Sequence, residues 1–290
     1  MSFSPTYFPP PLRGRARVGV QKSSADDAHP RPLREREIRA LLTTRDLGRA
    51  LFLYETLSST NDEAARLAQA GGSHGTTIIA DTQTAGRGRR GRTWISPPGV
   101  NLYLSVLLRL TLPASRAPEL ALIAAVAACE TAREAGVAAT LKWPNDVLVH
   151  GKKLSGILCE MAASGGNVAH AVIGFGMNVN VTETAFPSDL HATSLTLETG
   201  HPHDRMRIAA QFLHRFESWL DLHAASGFAP IRDRWCTLAS TLGSEVTVRD
   251  GDRVVAGRAI DLAADGALIV ETAPGLRERV SAGDVVEARR

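Results

Sequence analysis

The sequence of 290 residues has few cysteines, no long apolar run and little net charge. Cys129, Cys159 and Cys236 are widely spaced and odd in number, so they form neither a CxxC zinc motif nor a disulfide framework. This pattern favours a reducing cytosol. The longest apolar run, Leu120–Cys129, is too short to cross a bilayer, and the N-terminal region has no apolar stretch typical of a secretory signal. We therefore predict a cytoplasmic protein without a membrane segment.

Several signatures of catalysis are also missing. The nine histidines show no metal-ligand spacing, and the motifs HExxH, GxSxG and GxxxxGK[ST] do not occur. The sequence therefore gives no sign of a zinc site, of a phosphate-binding P-loop or of covalent catalysis by a side chain. The net charge of +3 is only mildly basic, whereas a nucleic-acid-binding protein usually carries a broad basic face.

Composition divides the chain into three regions. Residues 1–48 are rich in proline, arginine, serine and aspartate and poor in apolar residues, so they cannot bury enough surface to fold alone. We predict a mostly disordered tail there, in which 34–42 could form a short helix. After residue 240 the chain changes to short strands separated by Asp-Gly, Pro-Gly and Ala-Gly turns, which predicts a small β-barrel domain over 241–290.

Residues 49–240 combine strand and helix patterns and are predicted to form the main, catalytic domain. Helices are predicted over 60–70, 118–136, 204–225 and 229–240. Strands are predicted over 76–83, 101–110 and 170–181, a strand and loop over 51–59, and two strands joined by a turn near 150–152 over 140–162. Thr60 followed by Glu63 has the spacing of a capping box, in which Thr60 caps the first of these helices. The predicted fold class is α+β, with a mixed sheet flanked by helices and followed by the barrel.

The stretch GRGRRGR, residues 86–92, concentrates positive charge on a flexible backbone. Arginine offers planar, bidentate donors to phosphate or carboxylate, and the interleaved glycines let backbone N–H groups approach a ligand closely. Trp94 follows at once and can stack on a purine ring. Since the like charges repel one another, we expect this loop to be mobile without an anion and to be ordered by one.

The same loop allows two other interpretations. GRGRRG matches the GxGxxG pattern of dinucleotide-binding folds, but Pro97 and Pro98 exclude the helix that must follow it. That pattern also requires an acidic residue about twenty positions further on, and none lies there. The second interpretation is a solvated basic loop without a ligand, against which the interleaved glycines and Trp94 argue.

Two further motifs place charged and polar groups at strand ends. In KWPND, Lys142 can meet a phosphate, and Asn145 and Asp146 can contact a sugar or Mg²⁺, although an ordinary Asx turn explains them equally well. In GKKLSGILCE, Lys153 opens an apolar strand, which is costly unless its ammonium group meets an anion or reaches solvent. Gly156 in the same strand indicates close approach by a ligand or by another segment of backbone.

The stretch SSTND precedes the first predicted helix. Ser59, Thr60 and Asn61 are cap-type residues, and capping alone accounts for one or two of them. A cluster of small hydroxyl and amide groups can also hydrogen-bond a neutral polar group such as a urea. Gln83, just before the arginine loop, can join such a cluster.

Taken together, these motifs resemble one family in order and spacing, the biotin–protein ligases, also called biotin–[acetyl-CoA-carboxylase] ligases. The matching stretches are SSTND, TQTAGRGRRGRTWISPPGVNLYLS, KWPNDVLV, KLSGIL and GFGMNVN. The resemblance implies that ATP, with Mg²⁺, activates biotin to biotinyl-5′-AMP. It also implies that biotin then passes to a lysine of the biotin carboxyl carrier protein of acetyl-CoA carboxylase. The implied fold is a class II synthetase-like mixed sheet followed by an SH3-like barrel.

The resemblance also implies roles for matching residues. Those implied for biotin are Ser59, Thr60, Asn61, Gln83, Arg87, Gly88, Arg89, Lys153 and Gly156. Those implied for ATP or the adenylate are Arg89, Arg90, Arg92, Trp94, Lys142, Asn145, Asp146, Lys153 and Asn178. Lys153 and Arg89 are the catalytic candidates, with Lys153 between the biotin carboxylate and the α-phosphate. No side-chain cage for a metal is implied, because Mg²⁺ would arrive with ATP, near Asp146.

One feature departs from part of the family. Some members carry an N-terminal winged helix-turn-helix domain and repress biotin-synthesis genes, whereas residues 1–48 of this sequence are predicted to be disordered. We therefore expect a ligase without specific DNA binding. A lipoate-type acyl ligase on the same scaffold and a nucleic-acid-binding regulator are the alternatives. The family includes monomers and homodimers, and the sequence leaves both open.

Overall fold

The computed structural model describes residues 31–183, 186–187 and 190–289, the last three as backbone only. A mixed sheet dominates the main region. Its strands are β1 (Leu51–Leu57), β2 (Thr77–Gln83), β3 (Leu102–Leu108), β4 (Thr140–Lys142), β5 (Asp146–Val149), β6 (Lys152–Ser164) and β7 (Asn167–Met177). They lie in the order β1-β2-β3-β7-β6-β5-β4. Only the β1–β2 pair is parallel, and the other pairs are antiparallel.

Helices cover both faces of this sheet. They are α1 (Glu35–Leu41), α2 (Thr60–Gln69), α3 (Pro118–Glu134), α4 (Leu195–Thr199), α5 (Arg205–Ser226) and α6 (Ala229–Leu238). Strand β3 is buried throughout, and its alternate side chains enter two different cores. Leu104 and Val106 pack into the large core with residues of α3, α5 and α6, whereas Leu107 packs beneath α2.

Residues 31–48 are folded, which corrects the prediction of a disordered tail over 1–48. Helix α1 lies within the stretch 34–42 that the sequence marked as a candidate helix, and it packs against α5. Ile38 and Leu47 are fully buried. The composition argument failed because this segment joins a core that other elements build, and it does not have to form one of its own. Residues 1–30 of the predicted tail lie outside the described residues.

The predicted capping box at the start of α2 is wrong. Ser59 occupies the N-cap position, Thr60 is the first helical residue, and no side chain makes a cap hydrogen bond. The two predicted partners bond elsewhere. The backbone N–H of Thr60 donates to Gln83, and Glu63 accepts hydrogen bonds from Tyr54 and from its own helix.

A second, antiparallel sheet follows the main region. Its strands are β8 (Glu245–Asp250), β9 (Arg253–Leu262), β10 (Leu268–Ala273), β11 (Leu276–Val280) and β12 (Asp284–Arg289). Their order is β11-β10-β9-β8-β12, as expected for a small SH3-like barrel. The predicted α+β class and its two parts are thus confirmed. In the described ranges, no helix is both long enough and apolar enough to cross a membrane.

Candidate functional site

A cleft of about 280 Å³ lies on the face of the large sheet that carries α2. Glycines form its floor. Gly156 of β6 is directly opposite Gly176 of β7, and Gly174 lies two residues away on the same face. A Cβ atom on Gly176 would lie 2.7 Å from the Trp94 indole, and one on Gly174 would lie 2.3 Å from Asn61 Oδ1. The floor therefore exists because these positions have no side chains.

Trp94 lies across this floor at the end of the arginine loop. Its indole covers Gly156 and Gly176, and the buried Nε1 has no hydrogen-bond partner within the described residues. The Lys153 ammonium nitrogen lies 5.4 Å from the centroid of the indole ring, within cation–π range. The cleft thus holds a flat aromatic surface, an unpaired donor and a positive charge close together.

A cluster of uncharged polar groups forms one wall. Gln83 Oε1 accepts hydrogen bonds from the Thr60 N–H at 2.8 Å and from the Thr60 hydroxyl at 3.2 Å. The buried Ser105 hydroxyl lies 2.6 Å from Asn61 Oδ1 and 2.8 Å from Thr60 Oγ1. Asn61 Nδ2 donates to Glu160 at 2.8 Å. Neutral donors and acceptors arranged in this way suit a neutral polar group such as a urea.

The arginine loop, residues 86–92, folds as a tight hairpin over the cleft. A bridge pairs Arg87 with Thr93, and the Gly88 N–H donates to the Arg92 carbonyl at 2.6 Å. Arg90 adopts a left-handed backbone conformation with φ of 55°. The sequence predicted that like charges would repel and leave this loop mobile. In the structure each of its four arginines is paired with a carboxylate from elsewhere in the chain, which offsets that repulsion.

Arg87 and Arg90 form their ion pairs on opposite sides of the loop. Arg87 donates to Asp62 Oδ1 at 2.6 Å and to Glu160 Oε2 at 3.0 Å, both on the main region. Arg90 points the other way and donates to Asp250 of β8 at 2.6 Å. The loop therefore connects the main region to the barrel.

Asp284, the first residue of β12, binds the other two arginines and also lies 3.7 Å from Arg90 Nε. It accepts from Arg89 at 2.9 Å and from Arg92 at 2.7 Å. Arg89 also donates to the Gly283 carbonyl at 3.0 Å and to Asn145 Oδ1 at 3.2 Å. Burial lowers the pKa of Arg89 from its ordinary value, although the charge of Asp284 opposes this change. The guanidinium still remains a cation because its ordinary pKa is so high.

Two lysines surround a single carboxylate at the far side of the floor. Lys153 Nζ lies 2.6 Å from Asp146 Oδ1. Lys142 of β4 is paired in register with Asp146 of β5. Burial lowers the pKa of Lys142, the charge of Asp146 opposes that, and the charge of Lys153 adds to it. An anion entering here would therefore meet more positive than negative charge.

Buried amides complete this end of the cleft. Asn145 is held between Arg89 and the backbone of β6. Asn178 Oδ1 accepts from Asn101 Nδ2 at 3.3 Å, and Asn178 Nδ2 donates to the Thr193 carbonyl at 3.0 Å. These contacts fix both carboxamide groups in one orientation, which is a requirement for specific hydrogen bonding to a ligand.

The structure brings nearly all of the predicted site residues into this one cleft. Those that line it are Ser59, Thr60, Asn61, Gln83, Arg87, Gly88, Arg89, Arg92, Trp94, Asn145, Asp146, Lys153, Gly156 and Asn178. Arg90 and Lys142 are not among the lining residues. Arg90 donates to Asp250, and Lys142 is the register partner of Asp146 in the β4–β5 pair. The ligand contacts assigned to all of these residues stay predictions.

Sequence reasoning missed five residues that shape the site. They are Ser105, Glu160, Gly174, Gly176 and Asp284. The glycines of GFGM could have been found, because alternate residues of a strand lie on one face of the sheet. Ser105 lies opposite Gly174 in the pairing of β3 with β7. Asp284 carries no such local signal, because it meets the loop only after the barrel has docked.

Comparisons with known proteins identify relatives of both parts of the chain. A model of the biotin/lipoate A/B protein ligase family matches residues 53–178, and a model of the biotin protein ligase C-terminal domain matches residues 241–286. The bifunctional ligase/repressor BirA of Bacillus subtilis is 38% identical over 256 residues, which cover 87% of this chain and 79% of that protein. The biotin–[acetyl-CoA-carboxylase] ligase of Paracoccus denitrificans is 38% identical over 236 residues, covering 78% of this chain and 96% of that protein.

A solved structure gives the same result for the fold. The biotin protein ligase from Aquifex aeolicus in complex with biotin and ATP superposes with a TM-score of 0.70. It is 29% identical in sequence, and the match covers 83% of this chain and 99% of that one. The similarity therefore extends over the main region and the barrel together.

Proposed function

This chain belongs to the biotin–protein ligase family, and we propose that the cleft activates biotin with ATP and then delivers it to a carrier lysine. In the first step an oxygen of the biotin carboxylate attacks the α-phosphorus of ATP, biotinyl-5′-AMP forms and pyrophosphate leaves. In the second step the amine of the carrier lysine attacks the acyl carbon of the anhydride. An amide bond forms, AMP leaves, and the amine gives up a proton.

The polar wall is our proposed site for the ring system of biotin. Biotin carries a neutral urea group, and Ser59, Thr60, Asn61 and Gln83 offer neutral donors and acceptors on that wall. The glycine floor beside them is covered by the Trp94 indole, and we propose that the apolar part of the molecule packs against this flat surface. Gly156 contributes to this floor, so we propose that a side chain at that position would obstruct biotin.

The opposite end of the cleft is our proposed site for the nucleotide. Trp94 offers an aromatic face for adenine, and Asn145 and Asn178 are oriented amides that can receive the nucleotide's polar groups. Arg89 and Arg92 carry the positive charge for phosphates, and both would have to leave Asp284 to reach them. Arg90 and Lys142 do not line the cleft, so we propose that they act through their charge.

The position of Lys153 is the observation that carries the proposal. Its ammonium group lies beside Gly156 and 5.4 Å from the centroid of the Trp94 ring, and we propose that the biotin carboxylate and the α-phosphate meet there. Joining a carboxylate to a phosphate brings two anions together, and a fixed positive charge at that point stabilises the transition state. Arg89, only partly exposed, would supply a second positive charge after it leaves Asp284.

The arginine loop has a second proposed task. Biotinyl-5′-AMP is an activated anhydride, and water would destroy it before the carrier arrives. A loop that covers the cleft and can exchange its carboxylate partners for the phosphate of the adenylate would shield that intermediate.

Magnesium fits this site only together with ATP. Within the described ranges, no group of three or more histidine, cysteine, aspartate or glutamate side chains could hold a metal ion. Asp146 is the nearest carboxylate to Lys153 and is already bonded to it. Mg²⁺ typically takes phosphate oxygens and water with one or two carboxylates. We propose that Asp146 could be such a ligand and that the ion would offset phosphate charge.

The decisive experiment is ATP-dependent incorporation of labelled biotin into a biotin carboxyl carrier domain, comparing the wild type with Lys153→Ala. We expect the variant to lose about a hundredfold or more in kcat, because it lacks the charge between the reacting groups. Lys152→Ala removes the neighbouring exposed lysine of β6 and is the matched control, expected to stay near the wild-type rate.

Three results would overturn parts of this proposal. Transfer of lipoate instead of biotin by the wild type would assign the scaffold to the other acyl group. Absence of transfer of either acid by the wild type would refute the ligase activity. Equal rates for Lys153→Ala and Lys152→Ala would keep the activity but remove Lys153 from its role.

A further inference from the structure

Arg205, the first residue of α5, is a buried cation outside the cleft. Only 1% of its side chain is exposed. Its Nη1 donates to Asp81 Oδ1 at 2.7 Å and to the Asn101 carbonyl at 3.1 Å, and its Nη2 donates to the Arg31 carbonyl at 3.0 Å. Its Nε is buried with no hydrogen-bond partner in the described part of the chain.

Nothing about helix formation accounts for this placement. A positive charge at a helix N-terminus meets the positive end of the helix dipole, which is unfavourable. A buried guanidinium with an unsatisfied donor adds a desolvation cost. Asp204 already caps α5 by accepting from the N–H groups of Met206 and Arg207, so Arg205 is not needed for that either.

The contacts of Arg205 lead into the nucleotide end of the cleft. Asp81 joins Arg205 to Gly99, because its second carboxylate oxygen accepts a hydrogen bond from the Gly99 N–H at 2.9 Å. Arg205 and Asp81 thus hold both ends of the segment from Gly99 to Asn101. The Asn101 side chain in turn donates to Asn178 Oδ1 at 3.3 Å, and it accepts from the Val179 N–H at 2.9 Å.

We infer that Arg205 and Asp81 are positioning residues for the nucleotide, acting through Asn101 on Asn178. The inference rests on the proposed function, in which Asn178 contacts ATP. Asn101 is 1% exposed and Asn178 is 5% exposed, so neither carboxamide can turn to solvent if its partner moves. A shift of the Gly99–Asn101 backbone would therefore be transmitted to Asn178. The polar wall for biotin bonds to other residues and would not be affected.

The test compares two variants with one control in the same transfer assay. Arg205→Lys keeps the charge for Asp81, but an ammonium group cannot reach both backbone carbonyls that the guanidinium reaches. Asp81→Asn keeps an acceptor for Gly99 but removes the counter-charge. Arg232→Lys is the matched control, because Arg232 also joins an aspartate and a backbone carbonyl, Asp261 and Leu262, away from the cleft.

We expect both variants to raise the KM for ATP about tenfold or more while the KM for biotin stays within about twofold. Biotin binding without ATP, measured by calorimetry, should match that of the wild type. Arg232→Lys should leave both constants unchanged. Because a general loss of folding would lower binding of both substrates, this split distinguishes positioning from structural damage, and thermal melts of each variant identify any that fails to fold.

Two outcomes overturn the inference. One is an unchanged KM for ATP in both folded variants, which would mean that the buried ion pair serves stability alone, and the other is a parallel loss of biotin and ATP binding in a variant whose thermal melt shows that it is folded. Failure of the proposed function looks different, because the wild type itself would then show no ATP-dependent transfer.

Discussion

The floor of the cleft and the loop above it are held in different ways. The floor consists of glycines and small polar residues whose places follow from strand register, and the partners of Thr60, Gln83 and Ser105 lie on neighbouring elements of one sheet face. The loop, in contrast, is held at its outer side by Asp250 and Asp284, which lie in another domain 160 or more positions along the chain. The floor is therefore a rigid surface, and the loop is a set of charges whose partners can be exchanged.

The largest loss of ATP affinity is expected when a side chain is added to the glycine floor. In Gly176→Ala the added Cβ would meet the Trp94 indole at 2.7 Å, so the ring must move from its place over the floor. Overpacking of this kind costs about 1–3 kcal/mol, so we expect a loss of about tenfold or more in the affinity for ATP. Equilibrium binding of a non-hydrolysable ATP analogue measures this.

A double variant separates that clash from other damage. In the Trp94→Ala background the ring is absent, so Gly176→Ala should cost little more than Trp94→Ala alone. Fully additive losses would show that the added methyl group acts on something other than the indole, and that the floor does not depend on this contact.

A smaller effect, on the proteolysis of the arginine loop, is expected when a residue of the barrel is changed. Asp284→Asn removes the charge that Arg89, Arg90 and Arg92 share, so the like charges of the loop are less well compensated. We expect trypsin to cleave within residues 87–92 several-fold faster in the absence of substrates, because cleavage follows local opening. Saturating biotin and ATP should restore protection.

The control for this experiment lies in the same barrel. Glu278→Gln breaks an exposed ion pair with Arg253 and does not touch the loop, so its cleavage rate should equal that of the wild type. If Asp284→Asn were also cleaved at the wild-type rate, the barrel would not be what holds the loop in place.

These differences explain what the sequence could and could not predict. Periodicity and turn residues predicted helices α3, α5 and α6, the C-terminal barrel and the main strands, because these depend on local patterns. Residues 140–162, predicted as two strands, form three. The short helix α4 was not predicted, because five residues are too few to show a helical period. Nearly all of the predicted site residues lie in the cleft. The functions of Asp284 and Arg205, in contrast, depend on contacts between distant elements, and no local pattern marks such contacts.

A still smaller effect, on the KM for biotin, is expected at the inner side of the loop, where Glu160 lies. Its carboxylate accepts from both Arg87 and Asn61. In Glu160→Gln an amide oxygen can still accept from Asn61, and only the exposed charge pair with Arg87 is lost. Exposed ion pairs contribute up to about 1 kcal/mol, so the KM for biotin should rise by no more than about threefold to fivefold. A loss of a hundredfold would instead place the charge of Glu160 directly in biotin binding.

The smallest effect, on the free energy of unfolding, is expected from a change in α2, whose first residues form the polar wall. A hydrogen bond from Arg66 lowers the pKa of Glu63, although burial opposes that, and the Tyr54 hydroxyl bonds to the same carboxylate. A lowered pKa in the folded state stabilises the protein above the ordinary pKa and ceases to do so as the pH falls through the lowered value. Glu63→Gln should therefore lower the free energy of unfolding by about 0.5 kcal/mol at neutral pH, and the difference from the wild type should shrink in acid. Urea denaturation at a series of pH values measures it, with the exposed Glu55→Gln of β1 as the control. A difference that does not change with pH would mean that packing, and not the charge of Glu63, anchors α2.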